Sequence, residues 1–216
     1  QALVPRFPDV SALDLQAAFK SAEPGRIDAA LTAFRDGAWR DPARTLLGAE
    51  QEGWLARGLK ASTRAGKRWQ VLAQQVVMGS LVMTEGVLEG LPAAAPDWLK
   101  LRLQSSVAAG KQGIPWSMDM WSGYPAARER VYQSVLAADA NLLVLAGDSH
   151  NAWAFDHQHK GARVGVEMAG HSVTSPGAES TLGWIRPDDL ARQSVAANPA
   201  LQWCDTARRG YLAVEL

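Results

Sequence analysis

The chain has 216 residues, of which 47% are hydrophobic and 20% are charged, the balance expected of a folded globular protein. Its 22 basic and 22 acidic residues cancel to a formal charge of zero, so the composition gives no indication of a nucleic-acid or anionic-membrane partner. No apolar run reaches the length of a membrane-spanning helix, and no signal peptide is visible. The single cysteine, Cys204, cannot form an intramolecular disulfide and leaves the redox compartment open.

The first 40 residues are expected to form an irregular arm followed by packing helices, with residues 41–216 forming the main domain. The chain starts at Gln1 rather than at a methionine, which predicts a processed or partial protein. Residues 1–10 contain two prolines and show no apolar period. Ser11 is a suitable N-cap for a helix, and a second helix is predicted over residues 27–34.

The next helix is predicted to begin near residues 48–51, with Trp54 and Leu55 facing the core. Residues 69–78 are then expected to form a strand. Residues 79–111 form a long connection with one helix near residues 98–108, and a connection of this length is typical of lids.

An aromatic loop follows at residues 116–125, where large side chains accompany Gly123 and Pro125. Such a loop can form the wall of a binding site, or it can fill the core beneath the loop, and the sequence does not separate the two. The following helix, residues 125–137, should turn Val131, Val135 and Leu136 inward.

The most informative stretch is residues 141–171, which contains all four histidines of the chain. Five apolar residues, 142–146, run directly into Gly147, Asp148, Ser149 and His150, a pattern typical of a buried strand that ends in a loop. If the backbone stays extended, Asp148 and His150 project to the same side and could bind one metal ion or neighbouring ions. Alternatively, the four residues form an ordinary polar turn.

The other histidines carry weaker signals. His157 and His159 lie in a polar stretch and are expected to be solvated.

A strand is predicted at residues 164–170, a loop at 171–177 and a helix at 184–195. Residues 198–209 should be irregular and residues 210–216 a closing strand. The alternation of helices and strands predicts an α/β fold with four or five strands.

Five motifs, in this order along the chain, resemble PhoD-like alkaline phosphatases. The family patterns are "LG-x-x-Q-x-x-WL", "D-x-W-D-G-Y-P-x-x-R", "GD-x-H", "E…S-V-T-S-P-G" and "R-G-Y". They are matched by Leu47 to Leu55, by Asp119 to Arg128, by Gly147, Asp148 and His150, by Glu167 with Ser172 to Gly177, and by Arg209 to Tyr211. Ser122 stands where the family usually has a second aspartate, so an acidic role is in doubt at that position.

The resemblance implies a calcineurin-like metallophosphoesterase, whose core is a β-sandwich flanked by helices, that hydrolyses phosphomonoesters or phosphodiesters. It implies calcium and iron as metals, with Asp148 and His150 as catalytic and metal-binding residues and Glu167 supporting them. The residues expected to form the substrate pocket are Asp119, Trp121, Tyr124, Asn151 and His171. It also implies export to the periplasm or the exterior.

The early metal motifs of that superfamily, "D-x-H", "GD-x-x-D" and "GN-H-D/E", are absent. Two metal ions need more donors than this chain groups together. The chain is therefore expected to be the C-terminal half of the catalytic domain, inactive alone, with a small phosphate ester and the missing N-terminal half as its partners. The competing interpretation is a non-catalytic binding or structural module that keeps the family scaffold.

Overall fold

The computed structural model describes residues 24–216, which form one open sheet of five strands flanked by helices. The strands are Gln70–Ala73 (β1), Leu142–Ala146 (β2), Ala152–His159 (β3), Ala162–Ala169 (β4) and Leu201–Asp205 (β5). The helices are Pro24–Phe34 (α1), Ala49–Arg64 (α2), Asp97–Lys111 (α3), Pro125–Ala137 (α4), Ala178–Thr181 (α5) and Pro187–Ala197 (α6). Shorter helical turns lie at Arg35–Trp39, Glu85–Leu88 and Trp121–Gly123.

The strand order is β1-β2-β4-β3-β5. Strands β1, β2 and β4 run parallel, whereas β3 runs antiparallel to both β4 and β5. The predicted α/β class is confirmed. Residues 24–216 form one five-stranded sheet flanked by helices, as expected for part of a β-sandwich of this kind.

The core lies where helices cover the central strands. Val131 and Val135 of α4 pack with Leu142 and Val144 of β2, and Leu59 of α2 joins the same cluster. This confirms the inward face predicted for α4 and explains why β2 is a run of apolar residues, since it is paired on both sides and covered by helices. A second cluster joins α3 to α6 and the turn at Glu85–Leu88.

Trp54 does not face the core as the sequence predicted. Its side chain is 68% exposed, whereas Leu55 and Leu59 pack into the core cluster. Leu55 and Leu59 lie one helical turn apart and share a face, while Trp54 is rotated away from that face by about 100°.

The strand expected over residues 69–78 is shorter, because only Gln70–Ala73 pairs with β2. β1 is an edge strand and Val71 is exposed. The apolar residues Val77 and Met78 lie instead in the buried turn that follows the strand.

Strand β3 was missed by the sequence prediction because its second half, Asp156 to His159, is entirely polar and shows no apolar period. It forms a hairpin with β4 through Lys160 and Gly161, both with positive φ (50° and 82°), as tight hairpin turns require. Two further expectations are wrong, because β5 occupies part of the stretch predicted to be irregular, and residues 210–216 form no strand. These last residues find no neighbouring strand, and most of their side chains remain exposed.

The remaining predicted helices agree with the structure. Helix α1 covers the predicted residues 27–34, α3 contains the helix expected near residues 98–108, and α6 overlaps that expected at 184–195. The helix expected from Ser11 lies outside the described residues. Of the helices that are described, none combines the length and apolar character needed to cross a membrane.

Candidate active site

The loops that follow the three parallel strands meet at one edge of the sheet. The backbone N–H of Gly147, after β2, donates to the carbonyl oxygen of Gln75, after β1, at 3.0 Å. The N–H of Gly170, after β4, donates to the carbonyl of Ala146 at 2.9 Å. Such carboxyl edges of parallel strands are where ligands bind in open α/β sheets. The loop at residues 147–151, the motif loop, therefore lies between the loop that follows β1 and the loop that follows β4.

The motif loop does not continue the extended backbone of β2. Asp148 and His150 both adopt left-handed conformations, with φ of 61° and 60°, and both side chains are exposed. The expectation that an extended backbone aligns these two side chains is therefore wrong. A left-handed non-glycine residue costs about 1–3 kcal/mol and persists where its surroundings impose it, often at functional sites.

The side chain of His150 is held by a backbone carbonyl. Its Nδ1 lies 2.9 Å from the carbonyl oxygen of Pro176. A carbonyl oxygen can only accept, so Nδ1 carries the hydrogen and, in the neutral ring, Nε2 keeps its lone pair. Metal-binding histidines are commonly oriented in this way, with one nitrogen donating to a carbonyl and the other left for the metal.

Asn151 joins the motif loop to the start of α5. Its side chain is buried, its Oδ1 accepts from the backbone N–H of Ala178 at 3.0 Å, and its Nδ2 donates to the carbonyl of Ser149. A Cβ atom on Gly177 would lie 2.5 Å from Asn151 Oδ1, so only glycine allows this approach. The carbonyl of Pro176 that contacts His150 belongs to the same short segment, two residues before Ala178.

A buried polar network supports the turn after β1. Glu167 of β4 accepts from the backbone N–H groups of Met78 at 2.7 Å and Gly79 at 2.8 Å. Its Oε2 also lies 3.1 Å from Nε2 of His157, whose Nδ1 lies 2.8 Å from the hydroxyl of Tyr132. Burial raises the pKa of Tyr132 to about 12, so its hydroxyl stays protonated and donates to His157. The prediction that His157 is solvated is wrong, because its side chain is only 2% exposed.

The aromatic loop fills the core at Trp121, whose indole Nε1 donates to Oε1 of Gln74 at 3.0 Å. Ser122 is buried as well, and Asp119 is exposed. The guanidinium of Arg44 lies 4.7 Å from the ring centre of Tyr124. Trp121 thus takes the core-filling role, one of the two alternatives that the sequence left open.

His171 begins the loop after β4. Its Nε2 is buried without a hydrogen-bond partner and lies 3.6 Å from Oδ1 of Asp205. The structure therefore places His171 and the motif loop at the same edge of the sheet. Asp119 and Tyr124 come from the segment between α3 and α4 instead.

A cavity of about 440 Å³ adjoins the motif loop. Of the five residues predicted to form the substrate pocket, only Asn151 lines it, beside Ser149. The opposite wall comes from α3, including Trp98 and Arg102. The sequence analysis missed this wall because the segment carrying α3 has no chemical motif and was interpreted as a connection.

A metal centre needs several donor side chains that lie close together. Across residues 24–216, no three His, Cys, Asp or Glu side chains are grouped closely enough to hold a metal ion. His150, with Nε2 unused, and the exposed carboxylate of Asp148 suit two ligand positions. Cys204 is unsuitable, because burial raises its pKa to about 11 and keeps the thiol protonated. Residues 24–216 therefore offer at most these two candidate donors at the motif loop.

Comparison with known proteins gives one consistent result. A sequence model of the PhoD-like phosphatase family matches residues 9–216. Alkaline phosphatase D of Bacillus subtilis (strain 168) is 36% identical over 145 residues, which cover 64% of this chain and 20% of that protein. A solved structure described as the structure of PhoD matches with a TM-score of 0.53 and 31% identity, covering 79% of this chain and 27% of that one. The chain thus spans a minor part of the length of either relative.

Proposed function

Because the chain belongs to the PhoD-like phosphatase family, we propose that the protein hydrolyses phosphate esters with bound metal ions and that Asp148 and His150 contribute to the metal centre. One observation carries the assignment of these residues: Nδ1 of His150 contacts the carbonyl of Pro176, which leaves Nε2 available as a ligand. The left-handed backbone at both residues supports it, since such strain often accompanies a functional site.

Four residues of the motif loop have separate parts in this proposal. Asp148 and His150 would hold metal, and metal ions in such centres neutralise phosphoryl oxygens and lower the pKa of a bound water. Asn151 bonds the loop to the first residue of α5, and the carbonyl of Pro176, just before α5, contacts the His150 ring. The Ser149 hydroxyl accepts from the indole N–H of Trp153 at 2.8 Å, which secures the middle of the loop.

The proposed centre is incomplete within this chain. Two metal ions, each with about four to six ligands, require more donors than Asp148 and His150. We therefore place the remaining ligands outside residues 24–216, in further parts of a calcineurin-like catalytic domain, and we propose calcium and iron as the metals. The Bacillus subtilis relative is compatible with such further parts, because the match covers only 20% of its length. Export to the periplasm or exterior is proposed from family membership alone.

Activity of the full-length protein on p-nitrophenyl phosphate and bis-p-nitrophenyl phosphate tests this function. We expect hydrolysis that is lost after chelation and restored by Ca²⁺ with Fe³⁺. Comparison of the two substrates decides between monoester and diester preference. Absence of hydrolysis with any added metal, or hydrolysis that survives complete metal removal, would overturn the proposal.

Residues 1–216 alone are expected to be inactive, because two donors bind a divalent metal weakly and cannot fix a second ion. Ordinary enzymes have a median kcat of about 10 per second. Turnover by residues 1–216 within about tenfold of that value would show that the chain holds a complete site. If the full-length protein is also inactive, the non-catalytic module becomes the better interpretation.

A further inference from the structure

We propose that the cavity between α3 and the motif loop binds the alcohol group of the phosphate ester, and that it selects aromatic alcohols that carry a negative charge. The inference rests on the proposed function and extends it to substrate class. Three features of the cavity support it: its continuity with the motif loop, its exposed indoles and its single cation.

The cavity and the motif loop share residues. Ser149, which lies between Asp148 and His150, lines the cavity together with Asn151. Pro176 and Gly177 line it as well, and the carbonyl of Pro176 is the group that holds His150. The cavity therefore adjoins the loop that carries His150, so an ester bound there has its alcohol group close to the cavity.

Indole rings border the cavity. Trp98 is 64% exposed and Trp116 is 38% exposed, although both line the same concave surface. Much of the remaining lining is aliphatic, including Leu81, Leu99 and Leu103. Rigid aromatic side chains favour flat aromatic ligands, which they contact by stacking or edge-to-face packing. A cavity of about 440 Å³ is large enough for one or two aromatic rings.

Arg102 is the one charged side chain of the cavity wall, and no described acidic residue lines it. Arg102 makes no hydrogen bond or ion pair with another residue of 24–216, so none of these residues neutralises its positive charge. An unpaired guanidinium beside an apolar surface attracts a carboxylate or phosphate and repels an ammonium group. The charge of the cavity therefore complements an anionic aromatic alcohol.

The indole contribution is tested in the full-length protein with Trp98→Ala. We expect kcat/KM for 1-naphthyl phosphate to fall about five- to tenfold and that for ethyl phosphate to change less than twofold. Binding of 1-naphthylphosphonate, which cannot be hydrolysed, should weaken by the same factor in calorimetry. Trp54→Ala is the matched control, because Trp54 is an exposed helical tryptophan outside this cavity, and it should change neither value.

The charge preference is tested with 4-carboxyphenyl phosphate and 4-(aminomethyl)phenyl phosphate. The unmodified protein should prefer the carboxylate by at least about fivefold in kcat/KM. Arg102→Gln should bring the two substrates within about twofold. The control, Arg57→Gln, changes an arginine on α2 that does not line the cavity and should keep the preference.

Failure of the inference is distinguishable from failure of the proposed function. If the esters are hydrolysed but Trp98→Ala affects ethyl and naphthyl phosphate equally, the cavity does not bind the alcohol group. If Trp98→Ala leaves the kinetics unchanged but alters the oligomeric state measured by sedimentation, the cavity binds a second copy of the protein. The inference is then wrong. Absence of hydrolysis of every ester rejects the proposed function, and the phosphonate titration still tests the cavity.

Discussion

Nε2 of His157 lies 3.1 Å from Oε2 of Glu167, and both side chains are almost completely buried. The carboxylate also accepts two backbone N–H groups from the turn after β1, at Met78 and Gly79. Glu167 therefore connects β4 and β3 to a turn that lies beside the candidate site. Removing one partner of a buried, fully hydrogen-bonded group leaves the others without compensation.

Glu167→Ala should lower the free energy of unfolding by about 3–5 kcal/mol, because it leaves two backbone N–H groups and one imidazole N–H unsatisfied. Urea unfolding measures the effect. Glu89→Ala is the control, since Glu89 is exposed, and its stability should stay within about 0.5 kcal/mol of the original protein. A loss below about 1 kcal/mol for Glu167→Ala would mean that the network does not support the turn.

Trp54 and Leu59, both on α2, should differ in how much stability is lost when each is replaced by alanine. Leu59→Ala removes a buried side chain from the main core cluster and should cost about 2–5 kcal/mol. Trp54→Ala changes an exposed side chain and should cost less than about 0.5 kcal/mol. Thermal or urea unfolding of both variants decides the matter. A larger loss for Trp54→Ala than for Leu59→Ala would mean that Trp54 faces the core, as the sequence predicted.

The ion pair between Glu52 and Arg130 should make stability depend on pH. Arg130 Nε donates to Glu52 Oε2 at 2.6 Å and its second nitrogen donates to Oε1 at 2.8 Å, which lowers the pKa of Glu52 below its usual value. A lowered pKa in the folded state stabilises the protein above the unfolded pKa, about 4.3 for glutamate. That contribution disappears as pH falls through the folded pKa.

Glu52→Gln should therefore reduce the free energy of unfolding by about 1–3 kcal/mol at pH 7. The difference from the original protein should shrink as pH is lowered from 5 to 3. Urea unfolding at a series of pH values measures it, with Glu50→Gln on the exposed face of α2 as the control. A difference that stays constant to pH 3 would assign the effect to packing rather than to charge.

The strongest local patterns predicted their elements correctly. β2 is a run of five apolar residues, and a strand covered on both faces needs little else to be recognised. β3 could not be predicted in this way. Its His157 is buried with both ring nitrogens in hydrogen bonds, to Glu167 on the neighbouring strand and to Tyr132 on α4.

The position of the motif loop was predicted from the sequence, but its backbone geometry was not. The end of β2 located Asp148 and His150 at the carboxyl edge of the sheet. Their left-handed conformations, and the contact of His150 with Pro176 26 residues away, are encoded by no local pattern. The cavity beside them is bounded by α3, where Trp98 and Arg102 belong to no recognisable motif.

The central claim is that the His150 imidazole takes part in metal-dependent ester hydrolysis, and His150→Asn in the full-length protein tests it most directly. Asparagine tolerates the left-handed backbone, so this variant removes the imidazole without adding strain. His159→Asn, at the far end of β3, is the matched control. We expect kcat/KM for p-nitrophenyl phosphate to fall at least about a hundredfold in His150→Asn, with reduced bound metal and unchanged unfolding. Near-normal turnover and metal content in a folded His150→Asn protein would contradict the account.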